Sequence, residues 1–325
     1  MGCAAACQPP VRSEGERCLR IGCSLPQLGL QASRQNLVRV AQRAEELGYD
    51  SVWVLERLLW PIEPREPYPV TPDGKLPETY QVVLDPVDTL TFVAAITSRV
   101  DLGTSVLVLP YHTPIELARR IATLDVLSDG RARVGVGIGW SRDEFEAAGT
   151  PFERRGPRAD EFLQAMVALW TENPVSFKGD FYNIPESIVG PKPLQRPHPP
   201  IYVGGSGKAA LERAVKHGNG WNAAGPPSLE WLETEINELR GLAAGAGRPS
   251  IDVVLRGIGF IMDESPGPNR MPTVGTLDEI GQDIRRLRDI GVTELIFSPP
   301  EIGWINTPGI DAGLRRLEQL IEISR

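Results

Sequence analysis

The sequence predicts an α/β protein, a (β/α)₈ TIM barrel built as a single domain with long loops after the second strand and before the fifth. Short apolar runs bounded by turn residues alternate with helix-length amphipathic segments, the pattern of repeated βα units. Each run is followed by a helix, so the strands are expected to lie parallel. Eight such units within roughly 310 residues favour closure into a barrel over a doubly wound open sheet.

Taken in order, residues 1–17 mix small, proline and charged residues without an apolar period and read as a disordered tail; the barrel domain spans 18–325, its first strand opening near Leu19. The strands are expected at Leu19–Ser24, Ser51–Leu55, Leu102–Leu109, Ala132–Gly137, Pro200–Val203, Gly220–Ala223, Ile251–Phe260 and Glu294–Phe297. Leu37, Val40, Ala41, Ala44 and Leu47 recur at helical spacing, as do Ile284, Leu287 and Ile290. Gly48, Gly130 and Gly291 follow helical stretches where a C-terminal glycine is expected. Two connections exceed a plain βα turn: 57–84, rich in proline and acidic residues, and 171–199, where Phe177-Lys178-Gly179-Asp180-Phe181 has a hairpin pattern. Long loops beside a barrel mouth serve as lids or substrate walls.

With 41% hydrophobic and 23% charged residues the chain has the composition of a globular protein able to bury a full core. A net charge of −8 removes the electrostatic drive for holding nucleic-acid phosphates. There is no apolar run of membrane-spanning length and no secretion-signal pattern, so the expectation is a cytoplasmic protein with neither membrane nor nucleic-acid partners. The four cysteines, Cys3, Cys7, Cys18 and Cys23, crowd the first 23 residues without a neighbouring histidine cluster and read as ordinary thiols. His112, His198 and His217 are scattered, and no metal-ligand spacing accompanies them, so no metal site is expected.

Several segments carry chemistry or a plainer structural role. Val134-Gly135-Val136-Gly137-Ile138-Gly139-Trp140 places alternating glycines inside a strand, unlike a dinucleotide loop; it is either a crowded barrel strand or a surface that a flat ring can approach closely. Tyr202-Val203-Gly204-Gly205-Ser206-Gly207-Lys208 ends a strand and opens a helix near Ala209. It lacks the Walker spacing and reads as a phosphate cradle or a plain tight turn. Glu56 and Arg57 follow the second strand and His112 the third, at the end where barrel enzymes keep their catalytic groups. Trp60 and Trp140 are either stacking aromatics of the mouth or buried packing.

Together these segments resemble the luciferase-like monooxygenase superfamily, and within it the branch of F420-dependent oxidoreductases. The matching pieces are Tyr49 to Val54, Leu102 to Leu107, Leu124 to Arg131, Gly137 to Trp140 and Pro200 to Gly205, in the family's order along 19–325. The resemblance implies a cofactor held at the C-terminal mouth, its ring against a bulge in the third strand. That bulge would contain a non-prolyl cis peptide, here between Ser105 and Val106. Ser105, Val106, Gly139 and Trp140 would then touch the ring, while Gly204, Gly205 and Ser206 would take the tail phosphate. Arg57, His112 and Glu56 are the expected catalytic groups of the mouth.

The family's FMN users tend to read Arg-Tyr where this chain reads Arg155-Gly156, the tyrosine binding the FMN phosphate. Its absence suits the longer F420 tail, so F420 is expected over FMN. Sugar-phosphate dehydrogenases of the family carry Asp-His after the second strand and a glutamate after the fourth; Glu56-Arg57 and Trp140 stand there instead, which argues against that substrate. The expected activity is hydride transfer between F420 and a small organic substrate. The alternatives are an FMN-dependent monooxygenase and a non-catalytic cofactor-binding protein. The resemblance also implies a homodimer.

Overall fold

The computed structural model describes residues 19–71, 73–248, 250–303, 305 and 309–325. The expected tail at 1–17 lies outside them. Eight parallel strands close into one barrel in chain order: β1 Arg20–Ser24, β2 Ser51–Val54, β3 Asp101–Val108, β4 Ala132–Gly137, β5 Ile201–Gly204, β6 Gly220–Ala224, β7 Asp252–Gly257 and β8 Glu294–Phe297. β8 pairs with β1, Arg20 opposite Glu294, and this contact completes the ring. Helices α1 Arg34–Leu47, α2 Pro86–Ala94, α3 Pro114–Leu127, α4 Arg142–Ala147, α5 Arg155–Thr171, α6 Lys208–His217, α7 Leu229–Gly245, α8 Leu277–Ile290 and α9 Asp311–Ser324 follow the strands. Their apolar faces pack on the outside of the barrel: Leu37, Val40, Ala41 and Ala44 of α1 are buried, as are Ile280, Ile284, Leu287 and Ile290 of α8.

Helix ends obey local chemistry. Ser33, Asp85, Thr113, Ser141, Ser228 and Thr276 each cap a helix by accepting an amide hydrogen bond, and Thr276 with Glu279 forms a full capping box. Gly48 and Gly291 end α1 and α8 in the left-handed conformation, as their positions in the sequence predict.

Strand limits match expectation at β4 and β8 and lie within one residue of it at each end elsewhere, apart from the seventh. β7 stops at Gly257 because Thr273 Oγ1 accepts from the amides of Ile258 and Gly259, which draws the chain out of the barrel. Phe260–Ile261 then forms a separate ladder with Val274–Gly275. The predicted hairpin forms as Val175–Lys178 against Asn183–Ser187.

Strand alternation layers the barrel interior from floor to mouth. At the floor, Arg20 and Arg133 lie between Asp101 and Glu294, with contacts of 2.6 to 3.3 Å. Two residues further along the strands come Trp53, Tyr202, Val254 and Ile296, a fully buried cluster. The next layer is polar: Ser24, Ser105, Asn222, Arg256 and Ser298. Above it opens the mouth.

Candidate active site

The seat of the site is a bulge in β3. Thr104 pairs with Val134 and Leu107 with Val136, so Ser105 and Val106 together stand opposite Gly135. The Ser105–Val106 peptide is cis. The bulge pushes the Val106 side chain between two neighbouring strands, and the glycines there make room for it. A Cβ at Gly137 would lie 2.8 Å from Val106 Cγ2, and one at Gly204 3.0 Å from Val106 Cγ1. At Gly135 a Cβ would collide with the Thr104 carbonyl. The alternating glycines of β4 thus serve close approach, by the bulge itself first of all.

Beneath the bulge the polar layer holds it in place. Arg256 donates from Nη1 to the Ser105 carbonyl at 2.7 Å, from Nε to Ser298 Oγ at 3.1 Å and from Nη2 to Ser24 Oγ at 3.0 Å. Burial lowers the pKa of this guanidinium. Ser105 Oγ donates to Asn222 Oδ1 at 3.1 Å, while Asn222 Nδ2 is buried without an acceptor among the described residues.

Above the bulge lies a cavity of about 300 Å³ lined by Glu56, Arg57, Tyr68, Tyr80, Ser105, Val106, Tyr111, Gly139, Trp140, Glu144, Gly204 and Gly205, among others. Of the residues expected from sequence, it brings together Glu56, Arg57, Ser105, Val106, Gly139, Trp140, Gly204 and Gly205. His112 stands behind this wall, with Nε2 2.9 Å from Glu56 Oε1. The other oxygen of Glu56 accepts the Val108 amide at 2.6 Å. Trp60 packs beside Tyr68, Tyr80 and Trp140 and donates to the Leu76 carbonyl at 3.4 Å.

Arg57 turns the other way, to Glu144 on α4, with Nη1 3.2 Å from Oε2 and the guanidinium 4.8 Å above the Trp140 ring. Glu144 is 1% exposed; it also accepts from the Leu58 amide at 2.6 Å and from Tyr111 Oη at 3.0 Å. Burial first, and then the Glu144 charge, raise the pKa of Tyr111, which stays a neutral donor. Burial likewise raises Tyr68 and Tyr80, whose hydroxyls lie 3.2 Å apart.

Sequence reasoning passed over Glu144. It stands three residues after Ser141, a capping-box spacing, and the Ser141 cap is present; yet the glutamate side chain faces the mouth and does not reach back to the cap. A buried carboxylate after the fourth strand is therefore present, one helical turn beyond Trp140.

The loop after β5, which the sequence offers as a phosphate cradle or a plain tight turn, turns on two glycines and opens α6. Gly205 and Gly207 take positive φ of 110° and 75°, Ser206 is exposed, and α6 starts at Lys208. The loop is anchored by Trp221, whose Nε1 donates to the Gly205 carbonyl at 2.7 Å. One amide of the cradle is already used, since Gly207 N donates to Glu235 Oε2 at 3.0 Å. The start of α5 packs near α6, where a Cβ on Gly156 would lie 3.2 Å from Arg213 Nη2. Where a tyrosine was expected in FMN users, a guanidinium stands beside the glycine. Arg154 and Arg158 both lie over the Phe181 ring at 4.6 Å, and Arg155 over Phe152 at 4.0 Å.

The segment Leu124 to Arg131, which helped carry the resemblance, does structural work at the opposite end. Asp125 accepts from the amides of Leu194 and Gln195 and from Gln195 Nε2, and Arg131 donates to the carbonyls of Ala94, Thr97, Val100 and Ser128. Among the described residues no cluster of metal-ligating side chains occurs, and no helix is long and apolar enough to cross a membrane.

Known proteins share this fold and stretches of this sequence. An uncharacterized protein of Mycobacterium tuberculosis (strain ATCC 25618 / H37Rv) is 34% identical over 263 residues, 80% of this chain and 86% of its own. The FMNH(2)-dependent dimethylsulfone monooxygenase of Pseudomonas putida is 38% identical over 138 residues, 42% of this chain and 38% of its own. An F420-dependent secondary alcohol dehydrogenase, solved with an F420-acetone adduct, superimposes with a TM-score of 0.74 at 18% identity, covering 94% of this chain and 99% of that one. The family model for luciferase-like monooxygenases matches residues 20–267. This chain belongs to the luciferase-like monooxygenase family.

Proposed function

We propose that the chain is an F420-dependent oxidoreductase, moving a hydride between the deazaflavin and a small organic substrate in the mouth cavity. The observation that carries the cofactor choice is the arginine cluster where the start of α5 packs near α6: Arg213 borders Gly156 and pairs with Asp160, Arg154 pairs with Asp180, and Arg155 and Arg158 lie over Phe152 and Phe181. A long, multiply anionic tail fits such a surface better than a single phosphate does. The seat also fits a flat ring. Val106 presents a smooth apolar side chain at the mouth, the glycines of β4 and β5 leave its flanks bare, and Trp140 and Tyr68 wall the cavity.

Gly204, Gly205 and Ser206 would hold the phosphate, and Ser105, Val106, Gly139 and Trp140 would border the ring. When bound, F420 supplies C5 as hydride donor or acceptor, so the protein has to orient, shield and manage protons. With a ring seated, the apolar and aromatic walls would shield the reacting atoms from water. Glu56 Oε1 and His112 Nε2 hold a proton between them at the cavity wall, where it can serve a substrate oxygen. Arg57 brings a fixed positive charge to the same space.

A second reading, an FMN-dependent monooxygenase, is favoured by the identity shared with the dimethylsulfone monooxygenase. Titrating the purified protein separately with F420 and with reduced and oxidised FMN, while following oxygen consumption, decides between them. Tighter binding of F420 without oxygen uptake is expected. Tighter binding of FMN with oxygen uptake would overturn the proposal.

A further inference from the structure

Two buried carboxylates face the mouth, and each is already served by other donors. Glu56 accepts from the Val108 amide and faces His112, while Glu144 accepts from the Leu58 amide and the Tyr111 hydroxyl. Arg57 touches Glu144 through Nη1 alone, at 3.2 Å, and its side chain is 7% exposed. Its Nε and Nη2 are buried and find no acceptor among the described residues. Those two nitrogens form one edge of the planar guanidinium, with parallel N–H bonds spaced to meet both oxygens of a carboxylate.

The surroundings leave that edge's demand unmet. The Trp140 and Tyr80 rings lie 4.8 and 6.0 Å from the guanidinium and offer it their π-faces. Burial keeps the tyrosine hydroxyls of the cavity neutral, and neither buried nitrogen has one of them within hydrogen-bond reach. A buried guanidinium with two idle nitrogens is costly unless something else completes it. Arg57 lines the cavity above Val106 while the edge itself is covered, so an entering acceptor is met by a turn of the arginine side chain.

We infer that the substrate is a small organic carboxylate, its carboxylate docked two-pronged on the Nε–Nη2 edge of Arg57 and its carbon chain running into the mouth cavity. This rests on the reading of the mouth cavity as the substrate chamber. It goes beyond that reading by naming the substrate's recognition group. The cavity's size favours short acids, because the cofactor ring has to share its roughly 300 Å³.

The test uses matched probes, butyrate and benzoate against butyramide and benzamide, titrated calorimetrically into the purified protein with and without saturating F420. The acids should bind more tightly than the amides by roughly tenfold to a hundredfold, the factor expected for charge-assisted hydrogen bonds. Arg57→Gln should abolish the preference. If that variant fails to fold because Glu144 loses its partner, Arg57→Lys keeps the charge but not the fork and should reduce the preference strongly. Equal binding of acids and amides, no saturable binding of the acids, or a preference unchanged in either variant would overturn the inference. The cofactor titration is read independently: a protein that binds FMN rather than F420 but still prefers the acids would refute the cofactor proposal alone.

Discussion

Gly137→Ala tests whether the site is built around the Val106 side chain. Gly137 lies in β4 outside the left-handed region, so alanine meets no backbone objection there and the effect isolates packing. The new Cβ would sit 2.8 Å from Val106 Cγ2, well inside the 3.5–4.0 Å of ordinary carbon contact. Val106 is β-branched and stiff at χ1, so relief has to come from an off-rotamer turn or a backbone shift. Overpacking of this kind costs about 1–3 kcal/mol. In the double variant with Val106→Ala, the nearest remaining atom is the Cβ of residue 106 at 3.8 Å, an ordinary contact. The two substitutions together should therefore cost less than the sum of their separate costs, with a coupling of roughly 1–2 kcal/mol. Urea denaturation of the wild type, both single variants and the double variant measures it. Strict additivity within error would refute the account of why β4 carries alternating glycines.

Glu235→Gln removes a carboxylate from the start of α6 and should tighten binding of the phosphate-bearing cofactor about two- to fivefold, read by titration. Glu144→Gln leaves the buried Arg57 charge unpaired and should lower stability by roughly 3 kcal/mol, read by urea denaturation. Burial holds the His217 pKa below its ordinary value against the opposing pull of Asp160, so the unfolded chain binds its proton first. Stability should then fall as the pH drops from the ordinary histidine value through the lower folded one, and His217→Gln should flatten that part of the pH profile. Thermal denaturation across neutral to mildly acidic pH measures the slope.

Much of the fold is legible because barrel strands and helices are repetitive and each repeat is punctuated. Leu37, Val40, Ala41 and Ala44 show the helical period, Gly48 its end, and Ser51–Val54 the strand that follows. The exception, the end of β7, depends on Thr273, a residue sixteen positions beyond Gly257 whose hydroxyl takes two amides from the departing chain. No local pattern announces that contact. Asn222 and Arg256 did leave a signal: each is a polar residue on the inward phase of a strand, in line with the buried positions before it. Polar groups on such a phase are costly unless they support something, and here they hold the bulge.

The site was legible as residues and not as pairings. Glu56 and Arg57 are adjacent, and their opposite charges invite reading them as one ion pair. An extended chain sends consecutive side chains to opposite sides, so the neighbours in sequence are the two residues that cannot meet. Glu56 turns toward β3, to the Val108 amide and His112; Arg57 turns toward α4, to Glu144 and the Trp140 ring. That division makes each partner intelligible. The residue after β2 can carry a positive charge into an apolar mouth because a carboxylate from the β4 connection meets it from one side. The carboxylate before it remains available to histidine because the arginine faces away.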